Sequence, residues 1–220
     1  MSIAITGFFT GEPKRVTFGA REEMTGICKE PADTPLFLSF ERLEGNDVAN
    51  PNFHGGEART VCVYPHEHYA HWNEQFGVEL PPGAFGENLT LQGLTEDDVC
   101  IGDIYRIGDA VVQVTQARIP CKMIDLKLDV NGLFQQTALQ AKSGYFFRTL
   151  QEGRIAKDSQ VMLVERDPRE VTASFCLHTV YHDKKNTAAL RKILAVPALA
   201  DNWRNMLQRL LDEADKQAEA

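Results

Sequence analysis

The sequence predicts a mainly β fold with a helical C-terminal part. Two observations carry this. Short runs of β-branched and aromatic residues alternate with turn residues through roughly the first three quarters of the chain, which suits a barrel or sandwich and not a doubly wound sheet. Near Asp167-Pro168-Arg169 the texture changes, and from Val171 onward apolar residues recur at helical spacing.

Each element has a local reason. Ile3–Phe9, Leu36–Phe40 and Thr60–Tyr64 are β-rich runs, many of their ends marked by Gly, Pro, Asn or Asp. Asn88–Leu91 follows a glycine-punctuated loop. Ile104–Ile107 and Ala110–Gln116 read as a hairpin around Gly108-Asp109, a pair suited to a two-residue turn. Gln160–Glu165 is the last strand. Glu67–Phe76 follows Pro65 and carries Tyr69, Trp72 and Phe76 at three- and four-residue spacing, predicting an exposed amphipathic helix. A second helix is expected around Leu133–Ala141, leading to the aromatic run Gly144–Arg148. In the tail, Val171–Val180, Asn186–Leu194 and Asp201–Ala214 read as helices. Val196-Pro197 separates the last two, and Asp201 is the expected N-cap of the third. The chain therefore divides into a strand-rich unit, 1–168, and a three-helix unit, 169–220. Three short helices in roughly fifty residues make a marginal independent domain. They are expected to pack on the barrel, on a partner or on a second copy of the chain, as in a homodimer.

A chain of 220 residues, 43% hydrophobic and 25% charged, can bury one sizeable core. Its net charge of −8 argues against a nucleic-acid polymer as partner, while leaving room for a small anion held by a few local cations. The five cysteines, Cys28, Cys62, Cys100, Cys121 and Cys176, are odd in number, widely spaced and form no CxxC pair. That pattern fits a reducing compartment and neither a disulfide scaffold nor a zinc knuckle. With no basic leader before an apolar stretch and no run of membrane-spanning length, a cytoplasmic protein without membrane association is expected.

The segment richest in chemistry is Arg118-Ile119-Pro120-Cys121-Lys122. It sets one thiol between two cations at the end of a strand. Flanking positive charge favours the thiolate, the form that attacks electrophiles or binds soft metals. Pro120 ends the ladder, so the sulfur is expected at a rim. A small buried hydrophobe with basic neighbours is the ordinary alternative.

Phe53-His54-Gly55-Gly56-Glu57-Ala58-Arg59 precedes a strand. Adjacent glycines can expose successive N–H groups to an oxyanion, with His54 and Arg59 adding charge; a plain glycine turn is the alternative. In Gly83–Thr90, Glu87 and Asn88 stand where polar side chains can enter a pocket, unless Asn88 satisfies its own backbone. Arg148 lies among aromatic residues and needs an anionic partner if buried. His66, His68 and His71 look like a metal cluster, but no cysteine or carboxylate array completes it. There is no GxSxG elbow, Walker loop, HExxH or strand-linked GxGxxG, and a Cys121–His54 hydrolase pair lacks an orienting third residue.

Taken together, Phe53–Trp72, Gly83–Leu94, Ile101–Ile107, Val112–Lys122 and Gly144–Gly153 resemble the MOSC domain, shared with molybdenum cofactor sulfurases, in its stand-alone bacterial YiiM-type form. The tail from about Val171 looks like the three-helix domain of that type. The resemblance implies a MOSC β-barrel, related to the pyruvate-kinase barrel. It also implies a molybdenum cofactor, in which molybdenum is held by a pyranopterin dithiolene and by Cys121 as thiolate ligand. His54, Gly55, Gly56, Arg59, Arg118, Lys122 and Arg148 become candidates for holding the cofactor, with Asn88 at the pterin or the substrate pocket. Where family members often carry Gly-Asp shortly before His-Gly-Gly, this chain has Gly45-Asn46 followed by Asp47. Either Asp47 replaces that acid or the contact becomes neutral.

The activity implied is reduction of N-hydroxylated compounds, such as N-hydroxylated purine bases and hydroxylamines, with removal of oxygen at the Cys-ligated molybdenum. YiiM-like proteins are associated with detoxifying 6-hydroxylaminopurine. The chain has no flavin, haem or iron–sulfur motif, so electrons are expected from a separate flavoprotein. The alternatives are a non-catalytic carrier of molybdenum cofactor or sulfur, and a cofactor-free cysteine enzyme.

Overall fold

The computed structural model describes residues 3–51 and 54–218; Phe53, which opens the glycine motif, lies outside the described residues. In chain order the elements are β1 (Ala4–Thr10), β2 (Lys14–Phe18), β3 (Arg21–Thr25), β4 (Glu30–Pro31) and β5 (Leu36–Leu38), then a 3-10 turn (Glu57–Arg59). There follow β6 (Val61–Pro65), α1 (Glu67–Phe76), β7 (Leu89–Gln92), β8 (Ile104–Ile107), β9 (Ala110–Ala117), α2 (Met123–Leu128) and α3 (Leu133–Leu139). The chain ends with β10 (Tyr145–Gln151), β11 (Gly153–Ile155), β12 (Val161–Glu165), α4 (Ala173–His182), α5 (Thr187–Leu194) and α6 (Asp201–Ala218).

Eight strands form one mixed sheet in the order β12-β8-β9-β10-β6-β7-β1-β4, curled into a half-barrel, with β5–β11 and β2–β3 as separate pairs. Its one parallel neighbour pair among the described residues is β6–β7, and α1 provides the crossover that parallel strands require. The β8–β9 hairpin turns on Gly108 at φ 56°, with Ile107 opposite Ala110, as the Gly108-Asp109 pair predicts.

Several elements were not legible in the sequence, four of them instructive. The aromatic run after Gly144 is strand β10, paired on both sides by β9 and β6. Its alternation is complete: Tyr145 and Phe147 are buried in the core, Phe146 and Arg148 half-buried on the other face. Strands β2 and β3 are rich in charged residues and lack an apolar face; their five-pair ladder around Gly19 makes them a hairpin. Helix α2 is six residues long, too short to show a period.

Helix α1 departs from the expectation of an exposed helix, because His68, Tyr69 and Trp72 are buried. Tyr69 and Trp72 join Tyr64, Phe85, Ile124 and Leu133 in a second apolar cluster outside the main core. Tyr64 stacks on Phe85 at 4.0 Å, and Trp72 Nε1 donates to Tyr64 Oη at 2.6 Å. The three histidines of this region diverge: His66 pairs with Thr6, His68 with Glu96, and His71 with Gln140.

The C-terminal helices pack on the barrel, the first of the arrangements the sequence allowed. Cys176, Leu177, Leu190, Trp203 and Leu207 belong to the same buried cluster as Val61, Val112 and Phe147. The change of secondary structure near residue 168 is therefore not a break in the core. Thr172 and Asn186 cap α4 and α5 by accepting from Phe175 N and Ala189 N. Asp201 is the first residue of α6, and in that first turn its charge favours the helix dipole. Among the described residues, no helix is long and apolar enough to cross a membrane.

Gly144 shows how tightly β10 enters the sheet. Its φ is 88°, its N–H donates to the buried Glu96 Oε1 at 2.6 Å, and a Cβ there would stand 2.2 Å from Val63 O. Gly144→Ala should lose at least about 1–2 kcal/mol from the left-handed backbone alone, before the clash is counted. Urea unfolding measures this; an unchanged midpoint would refute the assignment.

Candidate functional site

The half-barrel, the β2–β3 hairpin and the start of α6 enclose a cavity of about 590 Å³, within the range of about 300–1,000 Å³ typical of small-molecule sites. Its buried lining includes Asn46, Cys62, Asn88, Gln116 and Arg118, and among its exposed lining are Met24, His54, Ile119 and Asn202. A second hollow of about 280 Å³ adjoins it and shares His54, Gly55, Arg59 and Asp47.

Asn88 makes the floor. Its backbone N–H donates to Cys62 O and its carbonyl accepts from Phe9 N, both at 2.8 Å. Its side chain repeats the pattern, with Oδ1 accepting from Cys62 N at 3.0 Å and Nδ2 donating to Phe9 O at 3.2 Å and Asn46 Oδ1 at 2.9 Å. The carboxamide is thus used across strands and not in a local turn. Glu87, one residue earlier, points the other way. Its carboxylate accepts from Tyr69 Oη, Gly83 N and Thr90 Oγ1, and it does not line the cavity. The expectation that both residues enter the pocket therefore holds for Asn88 alone, because successive side chains on an extended chain face opposite sides.

Arg118 follows β9. Its N–H donates to Gly144 O and its Nη2 to Phe85 O at 2.6 Å. Nη1 is buried with no hydrogen-bond partner among the described residues, and so is Oε1 of Gln116. A buried charged donor left unmatched costs more than the about 1–3 kcal/mol of a neutral one. Both residues line this cavity, which suits a polar ligand with an anionic group for Arg118 and a hydrogen-bond donor for Gln116.

Lys29 stands in the same cavity, its Nζ donating to Asn46 Oδ1. No carboxylate lies within ion-pair distance of it among the described residues. Burial, reinforced by the charges of Arg118 and Lys127, holds its amine down to about 8, against the opposing influence of Cys62 and Glu87. Asp47, by contrast, is engaged by Arg42 and Val48 N. The contact made to Lys29 at the departure from the family pattern is thus the neutral Asn46.

On the opposite wall, Gly55 and Gly56 adopt φ of 75° and 86°, and Arg59 Nε donates to Gly55 O at 2.8 Å. Burial first, then the charges of Arg59 and Arg118, push the His54 imidazole below its ordinary range. Cys121 is half-buried in the loop between β9 and α2 and lines the cavity, at a rim as Pro120 predicts. The loop is steadied from α2, whose Lys127 donates to Gly83 O at 2.7 Å and Ile27 O at 3.2 Å.

The fold thus brings His54, Gly55, Arg59, Asn88, Arg118 and Cys121 to one cavity, with Gly56 in the adjoining hollow. Lys122 and Arg148 line neither. Lys122 is exposed beside α2, and Arg148 donates from Nε and Nη2 to the neutral Gln113 Oε1 across the β9–β10 ladder. Among the described residues no three His, Cys, Asp or Glu side chains converge as a metal site. Sequence reasoning missed Lys29, Gln116 and Asn202. Lys29 sits in a stretch without period, and Asn202 lies far along the chain in a helical segment. Only Gln116, a polar residue in a β-branched run, carried a local signal.

Comparison with known proteins agrees with the fold. The MOSC domain matches residues 50–162 and the YiiM-like, 3-alpha helix domain residues 171–214. YflK of Bacillus subtilis (strain 168) is 39% identical over 202 residues, covering 92% of this chain and 91% of that protein. The crystal structure of YiiM from Geobacillus stearothermophilus superposes with a TM-score of 0.82 at 38% identity, covering 95% of this chain and 99% of that one. A protein named Reductase from Gibberella moniliformis (strain M3125 / FGSC 7600) is 33% identical over 164 residues, 71% of this chain but 28% of that protein.

Lys29 should make anion binding in this cavity pH-dependent. The amine keeps its proton below about 8 and loses it above, so affinity for a fixed-charge anion falls as pH rises through that value. Sulfate titrations between about pH 6.5 and 9.5, at constant ionic strength, should show this fall, and Lys29→Met should flatten it. A wild-type profile without slope would remove Lys29 from the anion site.

Proposed function

The chain belongs to the MOSC family, in its YiiM-like branch with a three-helix C-terminal domain, and from that premise we propose a molybdenum-cofactor-dependent reductase of N-hydroxylated purine bases and hydroxylamines. One observation carries the reading: the Cys121 thiol lines the same cavity as the unpartnered Nη1 of Arg118. A soft sulfur donor and a buried cation in one cavity suit the two ends of the cofactor, its metal and its phosphate. The relative named Reductase is in keeping with the reaction class, although the matching region is a small part of that longer protein.

Bound here, the cofactor would supply two-electron removal of oxygen from an N–OH group, yielding the amine and, after uptake of two electrons and two protons, water. The chain's residues do the rest. Cys121 is assigned as the thiolate ligand. Arg118, Arg59, His54 and the Gly55-Gly56 backbone are assigned to the phosphate, where charge-assisted bonds and exposed N–H groups meet an oxyanion. Asn88, held by bonds to Cys62, Phe9 and Asn46, offers the pterin a rigid floor. Lys29 Nζ lines the same cavity as Cys121 and would serve as a proton source for the oxygen leaving the substrate. Electrons come from a separate flavoprotein, in the cytoplasm. Lys122 and Arg148, outside the cavity, are left without a direct contact.

The test is molybdenum by elemental analysis and pterin by fluorescence after oxidation, on protein made in a cofactor-competent host. Wild type should carry both in proportion to chain and reduce 6-hydroxylaminopurine; Cys121→Ser should lose the metal and the activity. Wild type devoid of metal and pterin would overturn the reading in favour of a sulfur carrier or a cofactor-free thiol enzyme.

A further inference from the structure

The mouth of the cavity has a chemistry unlike its floor. Met24, on β3, is 52% exposed and Ile119, before Cys121, is 44% exposed. Two large apolar side chains left open to water at a cavity entrance suit a ligand with an apolar face, and a methionine sulfur is favourable beside an aromatic ring. Asn202, from the first turn of α6, is exposed at the same mouth, as are Ala49, Asn50 and His54 from the wall that carries the glycine motif. Its side chain makes no hydrogen bond to any described residue. Yet its backbone is fixed. Trp203, Leu207 and Leu211 are buried in the shared core, Ala200 N donates to Thr115 O of β9 at 3.1 Å, and Arg204 donates to Leu194 O and Val196 O. An exposed amide on a well-packed helix start, lining a cavity with an unmatched donor and an unmatched acceptor, is placed to read a ligand.

We infer that Asn202 is a specificity-determining residue that recognises the outer edge of a free purine base held between Met24 and Ile119. This rests on the reductase reading for its substrate class and assigns the C-terminal domain a part in the site. If the N6–OH group enters the cavity toward Cys121, the opposite edge of the ring faces outward. That edge presents N3, an acceptor, beside N9–H, a donor. A carboxamide offers the complementary donor and acceptor in one plane, as asparagine does on other purine edges. A purine substituted at N9, as in a nucleoside, has lost the donor, so the free base is the preferred ligand. Small hydroxylamines do not reach the mouth and are indifferent to Asn202.

The experiment is calorimetric titration of cofactor-loaded wild type and Asn202→Ala with adenine and 9-methyladenine, and steady-state kinetics with 6-hydroxylaminopurine and hydroxylamine. Wild type should bind adenine about three- to tenfold more tightly than 9-methyladenine, the worth of one or two hydrogen bonds, and Asn202→Ala should abolish the difference. The variant should raise KM for 6-hydroxylaminopurine by a similar factor, leave its kcat unchanged, and leave both constants for hydroxylamine unchanged. Wild type that binds neither base, or binds them alike, overturns the inference; so does a ratio that survives Asn202→Ala. Asn202-dependent adenine binding in a protein that reduces no N-hydroxylated compound would sustain the inference and bring down the reductase reading.

Discussion

The cavity depends on a single substitution of side chain for backbone. Beyond the ends of the β1–β7–β6 ladder, Asn88 supplies one main-chain and one side-chain hydrogen bond to each of Phe9 and Cys62. Its carboxamide acts as an extra peptide unit, so the two neighbouring strands stay satisfied where β7 itself no longer reaches them. Buried backbone groups must find partners, and without Asn88 those of Cys62 and Phe9 would face the cavity unpaired. The remaining N–H of the amide goes to Asn46, which brings the loop carrying Asn46 and Asp47 to the same floor.

On that floor the chain concentrates charge opposite in sign to its surface. The whole molecule is acidic, at −8. Lys29, Arg59 and Arg118 nevertheless line one cavity, and Lys127 supports it from behind through Gly83 O and Ile27 O. Gathering cations out of water is unfavourable, which is why burial lowers Lys29, Arg59 and Lys127 alike. Neutral partners such as Asn46 and Phe85 O orient Lys29 and Arg118 without cancelling their charge. The balance left over is available to an anion. An aspartate at position 46 would neutralise Lys29 and reduce it.

The helical C-terminal part is bound into the same logic. Its buried face completes the core on which the strands curl, and its last helix starts at the cavity mouth, tied to β9 through Ala200 N. The mouth therefore belongs to three remote parts of the chain: a charged hairpin near the N-terminus, the loop before Cys121 and the first turn of α6.

Period and punctuation in the sequence were sufficient for most of the architecture. They located the strands around β6, β8 and β9, the turn at Gly108-Asp109, α1, and the helical tail to within a few residues, because these elements are specified by neighbours three or four positions away at most. They also singled out Cys121, Arg118, Asn88 and the double glycine, residues whose type is unusual for its local setting. What they did not contain was direction and distance. Whether Glu87 or Asn88 faces the cavity was settled by the register of β7, and whether His68 is exposed by the loop and helices that cover α1. Arg148 was turned to Gln113 by strand pairing, while Lys29 and Asn202 were carried to the cavity from opposite ends of the chain. Local sequence determines what each segment becomes; only the closing of distant segments around a common core decides which side chains share a space, because that closure is set by burial summed over the whole chain.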